Sequence, residues 1–235
     1  EGYLAKVGEP LIQFYGYKTC GVWNSAEEIA ANPHFSDDAP GGIRIVDTNN
    51  DGSLTPEDRV ALGTPYPDFT WGITNTFQIK DFDISFLIQG VQGITVLNGD
   101  VYYNETKKWN KKYTKNRWVS AEHPGDGKTP YQNVKTGHDL MLTDYPLQNA
   151  SYACLRNFTV GYTLPATAAR KIKLSGVRFY VSGSNLLYIW GSGYKGINPE
   201  SRMTSGNYSS AMISGYQRGG FPLTSTISAG FDINF

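Results

Sequence analysis

The chain has 235 residues, and its 21 Lys+Arg balance 21 Asp+Glu, so the formal net charge is zero. That balance speaks against a dedicated nucleic-acid binder, which carries a basic excess. Charged residues are 18%, below the roughly 25% of an ordinary soluble domain, while aromatics reach 14%, a composition of strands, turns and amphipathic rings. The length would suit one or two ordinary domains.

A first strand is expected over about 10–18. A long stretch over about 19–67 follows, and within it Asp47-Thr-Asn-Asn-Asp-Gly-Ser-Leu-Thr-Pro-Glu-Asp58 has the spacing of a calcium loop. Asp47, Asn49 and Asp51 stand at its positions one, three and five, with Gly52 at six. Ser53 would offer a backbone carbonyl and Asp58 the closing carboxylate, because calcium takes six to eight oxygens. The competing reading is a capped turn, with Thr55 as N-cap, Pro56 at the first helical position and acids after it.

The strongest periodicity lies at 68–79. Phe69, Trp71, Ile73, Phe77 and Ile79 occupy one face (with Asn75), and Asp68, Thr70, Gly72, Thr74, Thr76 and Gln78 the other. After Lys80-Asp81 the phase resumes with Phe82, Ile84, Phe86 and Ile88, which predicts a β-hairpin. A second long stretch, about 97–150, holds the basic segment 105–118 with Trp109, Tyr113 and Trp118 interleaved. It suits phosphate groups of lipopolysaccharide, an acidic substrate, or simply a solvated loop. Further strands are expected over 152–164, over 177–185 and over about 226–235, where Ile227, Ala229, Phe231, Ile233 and Phe235 alternate with polar residues. The link between the first two of these is short, and the one over about 188–222 is long.

Six strands thus alternate long and short connections, as in outer-membrane barrels. Runs of nine to twelve residues fit a tilted membrane crossing. No apolar run is long enough for a membrane helix, a test that barrel strands escape because they alternate. A secreted, calcium-stabilised β-sandwich that binds glycans is the alternative, and a structural barrel without transport is a third. Loop aromatics able to stack on sugars are Trp23, Tyr102, Tyr103, Trp190 and Tyr194, although barrels also concentrate aromatics at both interfaces. No enzyme constellation stands out. His34, His123 and His138 form no metal pair, and neither a nucleophile elbow nor a phosphate loop is present. Cys20 and Cys154 are too few for a disulfide framework.

Several segments together resemble one family. They are Glu9-Pro-Leu-Ile-Gln-Phe-Tyr-Gly-Tyr17, Gly41-Gly-Ile-Arg-Ile-Val-Asp-Thr-Asn-Asn-Asp-Gly52, Gly63-Thr-Pro-Tyr-Pro-Asp-Phe-Thr-Trp-Gly72 and Phe82-Asp-Ile-Ser-Phe-Leu-Ile-Gln-Gly90. Asn149-Ala-Ser-Tyr-Ala-Cys-Leu-Arg-Asn-Phe-Thr-Val-Gly-Tyr-Thr-Leu-Pro165, Val177-Arg-Phe-Tyr-Val-Ser-Gly-Ser-Asn-Leu-Leu187 and Ser228-Ala-Gly-Phe-Asp-Ile-Asn-Phe235 complete the set. In this order they resemble the C-terminal part of a SusC/RagA-type TonB-dependent outer-membrane transporter of the Bacteroidetes.

The resemblance implies an all-β, antiparallel up-and-down transmembrane barrel of 22 strands with an N-terminal plug. Residues 1–235 would contribute about the last six strands, with extracellular loops at about 19–67, 97–150 and 188–222 and no plug. It implies uptake of oligosaccharides, or peptides, with a SusD-type lipoprotein lid and energy delivered by TonB to the plug. It also implies contact with outer-membrane lipid and the rest of the barrel, no nucleic-acid partner and no catalysis. Phe231, Ile233 and Phe235 resemble the family's C-terminal assembly signal.

Overall fold

The computed structural model describes residues 2–102, 116–132, 137–191, 193–201 and 215–235. Strands β1 (Tyr3–Leu4), β2 (Gln13–Gly16), β3 (Thr19–Val22), β4 (Ile43–Ile45) and β5 (Val60–Gly63) are short. The long hairpin β6 (Phe69–Ile79) and β7 (Phe82–Gln92) follows. After it come β8 (Thr95–Asn98), β9 (Leu147–Asn149), β10 (Tyr152–Thr163), β11 (Gly176–Trp190), β12 (Tyr216–Gln217) and β13 (Thr226–Asn234).

The five long strands make one sheet in the order β13-β11-β10-β7-β6, each antiparallel to its neighbours. It is a meander, because each long strand pairs with the next long strand along the chain. The β6–β7 register runs unbroken from Phe69↔Gln92 to Ile79↔Phe82. Lys80 closes that hairpin at φ 55°, the left-handed backbone that two-residue hairpin turns use. The link from β10 to β11 is short and holds one helical segment, Ala166–Lys171. Both long links, after β7 and after β11, leave from the opposite end of the wall.

The two faces of the wall differ as the alternation predicts. Phe69, Ile73, Phe77, Ile79, Phe179, Val181, Leu187, Ile189, Ile227 and Phe231 all stand exposed, Ile227 at 75%. Water does not tolerate an apolar patch of this extent on a monomer, whereas lipid requires one. A β-sandwich would have buried it against a second sheet. The opposite face carries Thr70, Thr74, Thr76, Thr159, Ser182, Ser184 and Ser228.

One expected strand lies elsewhere. The segment 10–18 forms only the four-residue β2, which pairs with β1 and β5 in a separate sheet. Its burial explains this. Ile12, Gln13 and Phe14 are consecutive and all buried, whereas a wall strand must expose every second residue. The wall therefore has five strands among the described residues, not six.

The long links carry interiors of their own. β3 pairs with β4, and β8 lies between β9 and β12. Tyr17, Val22, Ile43, Ile45, Trp118 and Leu140 pack into one core, flanked by Phe35, Leu54, Tyr102 and Tyr145. Ile94, Val96, Ala150 and Tyr194 form a second core, and Phe14, Leu97 and Tyr216 a third. These loops form a folded cap above a five-stranded wall.

Candidate functional site: the polar face of the wall and its cap

At the upper end of the wall the ladder is interrupted. Leu155 opposes Ile88 of β7, but the next pair is Asn157↔Leu87, so Arg156 is an extra residue in β10. On the β11 side Leu155 meets Leu187 and Asn157 meets Ser184, and Asn185 takes φ 55°. A bulge re-aims the side chain of its extra residue, and here it sends the guanidinium into a polar cluster. Arg156 Nε donates to Gln89 Oε1 at 3.2 Å, and Nη1 donates to Asn185 Oδ1 at 2.8 Å and to the Tyr188 hydroxyl at 2.9 Å. Nη2 forms an ion pair with Glu200 Oε1 at 2.5 Å, and the Tyr188 hydroxyl donates to the same oxygen at 3.1 Å. Three strands and one cap loop thus meet on a single side chain.

A second charged group sits at the turn end of the same face. Arg178 of β11 grips Asp83 of β7 with two bonds, Nε to Oδ1 at 3.0 Å and Nη2 to Oδ2 at 2.6 Å, and reaches Asp232 of β13 at 3.4 Å. The pair spans the intervening strand β10 directly above Gly161. A Cβ there would stand 2.4 Å from Asp83 Oδ1 and 2.5 Å from Arg178 Nη2. Only glycine leaves this two-bond fork room to cross the strand. Between the two charged groups the face is mostly uncharged hydroxyl and amide, with Leu87 as an apolar exception.

Above Arg156 the rings of Tyr152, Tyr188, Trp190 and Tyr194 follow one another at centroid spacings of 6.0, 6.5 and 6.2 Å. Tyr194 is buried and its hydroxyl donates to Gln217 Oε1 at 2.8 Å. Trp190, by contrast, is 39% exposed.

The structure places the other expected sugar-stacking rings differently. Trp23 is fully buried, its indole N–H donating to Asp38 Oδ2 at 3.3 Å and its ring covered by Arg44 at 4.9 Å. It is a core residue of the cap with no face to offer a sugar. Tyr102 packs against the first cap core, and Tyr103 lies outside the described residues. Of the basic segment, only Asn116, Arg117 and Trp118 are described, and Arg117 and Trp118 are buried. Trp118 donates to Asn24 Oδ1 at 3.2 Å. Burial of the large Trp118 ring explains why this end of the segment is not a solvated loop. Lys107 through Lys115 lie outside the described residues.

In the Asp47–Asp58 loop the capped turn is fully formed. Pro56–Asp58 is one turn of 3-10 helix with Thr55 as N-cap. Asp58 closes it, accepting from Thr55 N at 2.8 Å and Thr48 N at 2.9 Å. Burial alone would raise the Asp58 carboxyl, but the amides of Thr55 and Thr48 outweigh it and hold the group below the usual carboxylate range. Asp47 accepts from Asn50 N at 2.7 Å and Gly52 N at 2.9 Å. Asp51 turns instead to Asn49 Nδ2 at 3.0 Å and Ser53 N at 2.8 Å. Among the described residues no three Asp, Glu, His or Cys side chains gather closely enough to hold a metal ion. Both cysteines are free thiols, Cys20 exposed and Cys154 buried.

The cap also encloses a cleft of about 850 Å³ bordered by Thr19, Cys20, Asp126, Lys128, Asp144, Gln148, Asn149 and Lys195 among others. Its acids already have partners, Asp126 within its own loop and Asp144 on β3. Asp126 accepts from Lys128 N, Thr129 N and the Thr129 hydroxyl, and Asp144 from Thr19 N and its hydroxyl.

Sequence reading missed Arg156, Glu200, Gln89 and Asn185 as a group. The available signal was the lost alternation at Leu155-Arg156-Asn157, a charged residue where a period of two has no place for one.

No family model matches the chain. The TonB-dependent receptor P26 of Formosa agariphila is 31% identical over 239 residues, taking in 97% of this chain and 23% of that receptor. The TonB-dependent receptor SusC of Bacteroides thetaiotaomicron is 27% identical over 157 residues, 66% of this chain and 15% of SusC. In fold, a chain of the RagAB peptide transporter structure matches with a TM-score of 0.72 at 19% identity, covering 100% of this chain and 24% of that one. The chain therefore spans about a quarter of the length of the proteins it matches over nearly its full extent. The meander with its outward apolar face and these similarities lead to one assignment: the chain belongs to the SusC/RagA-type TonB-dependent receptors and forms part of their transmembrane β-barrel.

Proposed function

We propose that the chain forms part of the wall and the outer cap of a receptor that takes up oligosaccharides, or short peptides, across the bacterial outer membrane. The observation that carries the reading is the two-faced wall. Its apolar face meets lipid, and its hydroxyl- and amide-rich face lines a wet passage. The cap stands at the mouth of that passage, where a SusD-type lipoprotein would close over it, and Trp190 is the ring best placed to meet a passing sugar. Energy would come from TonB acting on a plug held inside the barrel. Phe231, Ile233 and Phe235 would be read by the barrel-insertion machinery. The spacing of Asp47, Asn49, Asp51, Ser53 and Asp58 along the cap loop supports a structural calcium there, for which Asp51 would leave Asn49.

The test is uptake by whole cells carrying the intact receptor. Accumulation of labelled oligosaccharide or peptide should vanish on deletion of TonB or of the partner lipoprotein. Uptake that persists at full rate without TonB would overturn the reading.

A further inference from the structure

We propose that Arg156 is a positioning residue for transport, and that through Glu200 it fastens the cap loop 193–201 down onto the polar face of the wall. Its guanidinium already has three wall partners, Gln89, Asn185 and Tyr188. The fourth, Glu200, is the only one from a loop among the described residues. A guanidinium fork held by three fixed partners loses little freedom when it takes a fourth. The bulge in β10 and the left-handed Asn185 in β11 are two irregularities in an otherwise regular sheet, and both serve this one contact. Strain of this kind persists where the surroundings over-determine it, and it clusters at functional positions.

The far side of the loop is also held. Gln217 donates to Ser201 O at 2.7 Å and accepts from the Tyr194 hydroxyl. Lys195 N donates to Gln148 Oε1 at 2.9 Å. The loop is therefore pinned to the cap at both ends and to the wall at Glu200. Because Arg156 lies on the polar face, a loop held by it overhangs that face directly beside Tyr188 and Trp190. Releasing it would free the loop from the wall while leaving the cap cores and the wall ladder in place.

The experiment uses the full receptor, purified in detergent and assayed in cells. Lys195 is exposed within the loop, so tryptic cleavage after it reports loop release. Glu200→Ala and Arg156→Ala should each speed that cleavage by about tenfold or more, the population change that loss of a charge-assisted bond produces. Glu200→Gln keeps the shape, removes the charge and should give a smaller increase in the same direction. Arg44→Ala breaks a different cap ion pair, with Glu28, and should leave the site unchanged. In cells, at equal receptor number, Glu200→Gln should raise the half-saturating substrate concentration with the maximal rate retained. Cleavage unchanged in Glu200→Gln and Glu200→Ala, or raised equally by Arg44→Ala, would overturn the tether. The transport arm rests on the uptake reading, but the cleavage arm does not, so the two can fail separately.

Discussion

Phe77 and Phe14 are the same residue in opposite surroundings. Phe77 stands 46% exposed on the wall, and Phe14 is 2% exposed inside the cap. Around Phe77 nearly every second residue of five paired strands is apolar and points away from the protein, Asn75 being an exception. Around Phe14 the apolar residues converge from β2, β8 and β12 on a shared interior. One chain thus contains two solutions to the hydrophobic effect, one written for lipid and one for water. The wall is held by its ladder of backbone bonds, which hydrocarbon makes obligatory. The cap is held by side-chain burial and by Asp, Asn and Thr side chains that satisfy its irregular backbone.

The contrast can be broken most severely at Trp23. Trp23→Ala should cost the cap about 3–5 kcal/mol, the range for deleting a buried large aromatic. Hydrogen exchange should rise through the β3–β4 ribbon and the segment around Trp118. The wall should keep its heat-resistant folded band on gels. A wall that unfolded together with the cap would show that the two regions are one cooperative unit.

The wall's own test is Val181→Lys. Val181 is 53% exposed and pairs with Val160 and Ala229 in mid-strand. In water an exposed Val→Lys change falls within about 0.5 kcal/mol. At mid-bilayer it should cost about 2–4 kcal/mol, measured by urea unfolding of the receptor in lipid vesicles. Thr159→Lys, on the polar face, should cost far less. Equal costs at the two positions would remove the distinction between the faces.

The wall was legible in the sequence because its physics has a period of two. Residues 68–79, 152–164 and the last ten show it directly, and the observed strands differ from expectation by only a residue or two at most ends. The exception is β11, which runs on to Trp190 through the irregularity at Asn185. The cap was not legible, because its order comes from contacts between residues far apart in sequence. Trp23 reads as a loop aromatic until Asp38 and Arg44 close over it. The Arg156 cluster lies between these cases. Its wall half was visible as a broken alternation, but Glu200 is 44 residues away and nothing local points to it. The capped turn at Thr55–Asp58 was legible because it is local, a short polar acceptor followed by Pro and acids.

Acid should separate the regions further. Asp58 and Asp126 are both cap carboxyls held below the usual range by backbone amides, against a burial effect that alone would raise them. The unfolded cap then binds more protons than the folded one, so its stability rises with pH. The contribution is fully present above the unfolded value of about 3.9 and is lost as pH falls through the lower folded values. Exchange in the cap should therefore accelerate below about pH 4 while exchange in β7, β10 and β11 holds. Asp58→Asn should remove most of the Asp58 share, costing about 1–3 kcal/mol at neutral pH. A pH-independent cap would mean that these amide bonds contribute nothing net.

The smallest expected effect concerns calcium. At ten times its dissociation constant, an ion bound only by the folded cap adds about 1.4 kcal/mol, and loops of this type outside cells bind at about 10⁻⁴–10⁻³ M. Calcium at millimolar concentration should slow exchange at residues 47–58 and leave the wall untouched. Asp51→Ala should abolish that slowing without loosening the turn, because the Thr55 cap and the Asp58 bonds do not involve Asp51. The two contributions are separable for this reason: the turn is closed by amides, and an ion would add only what Asp47, Asn49, Asp51 and Ser53 bring to it. Slowing that survives in Asp51→Ala, or the same exchange in calcium and in chelator, would leave the amide-capped turn as the whole account of this loop.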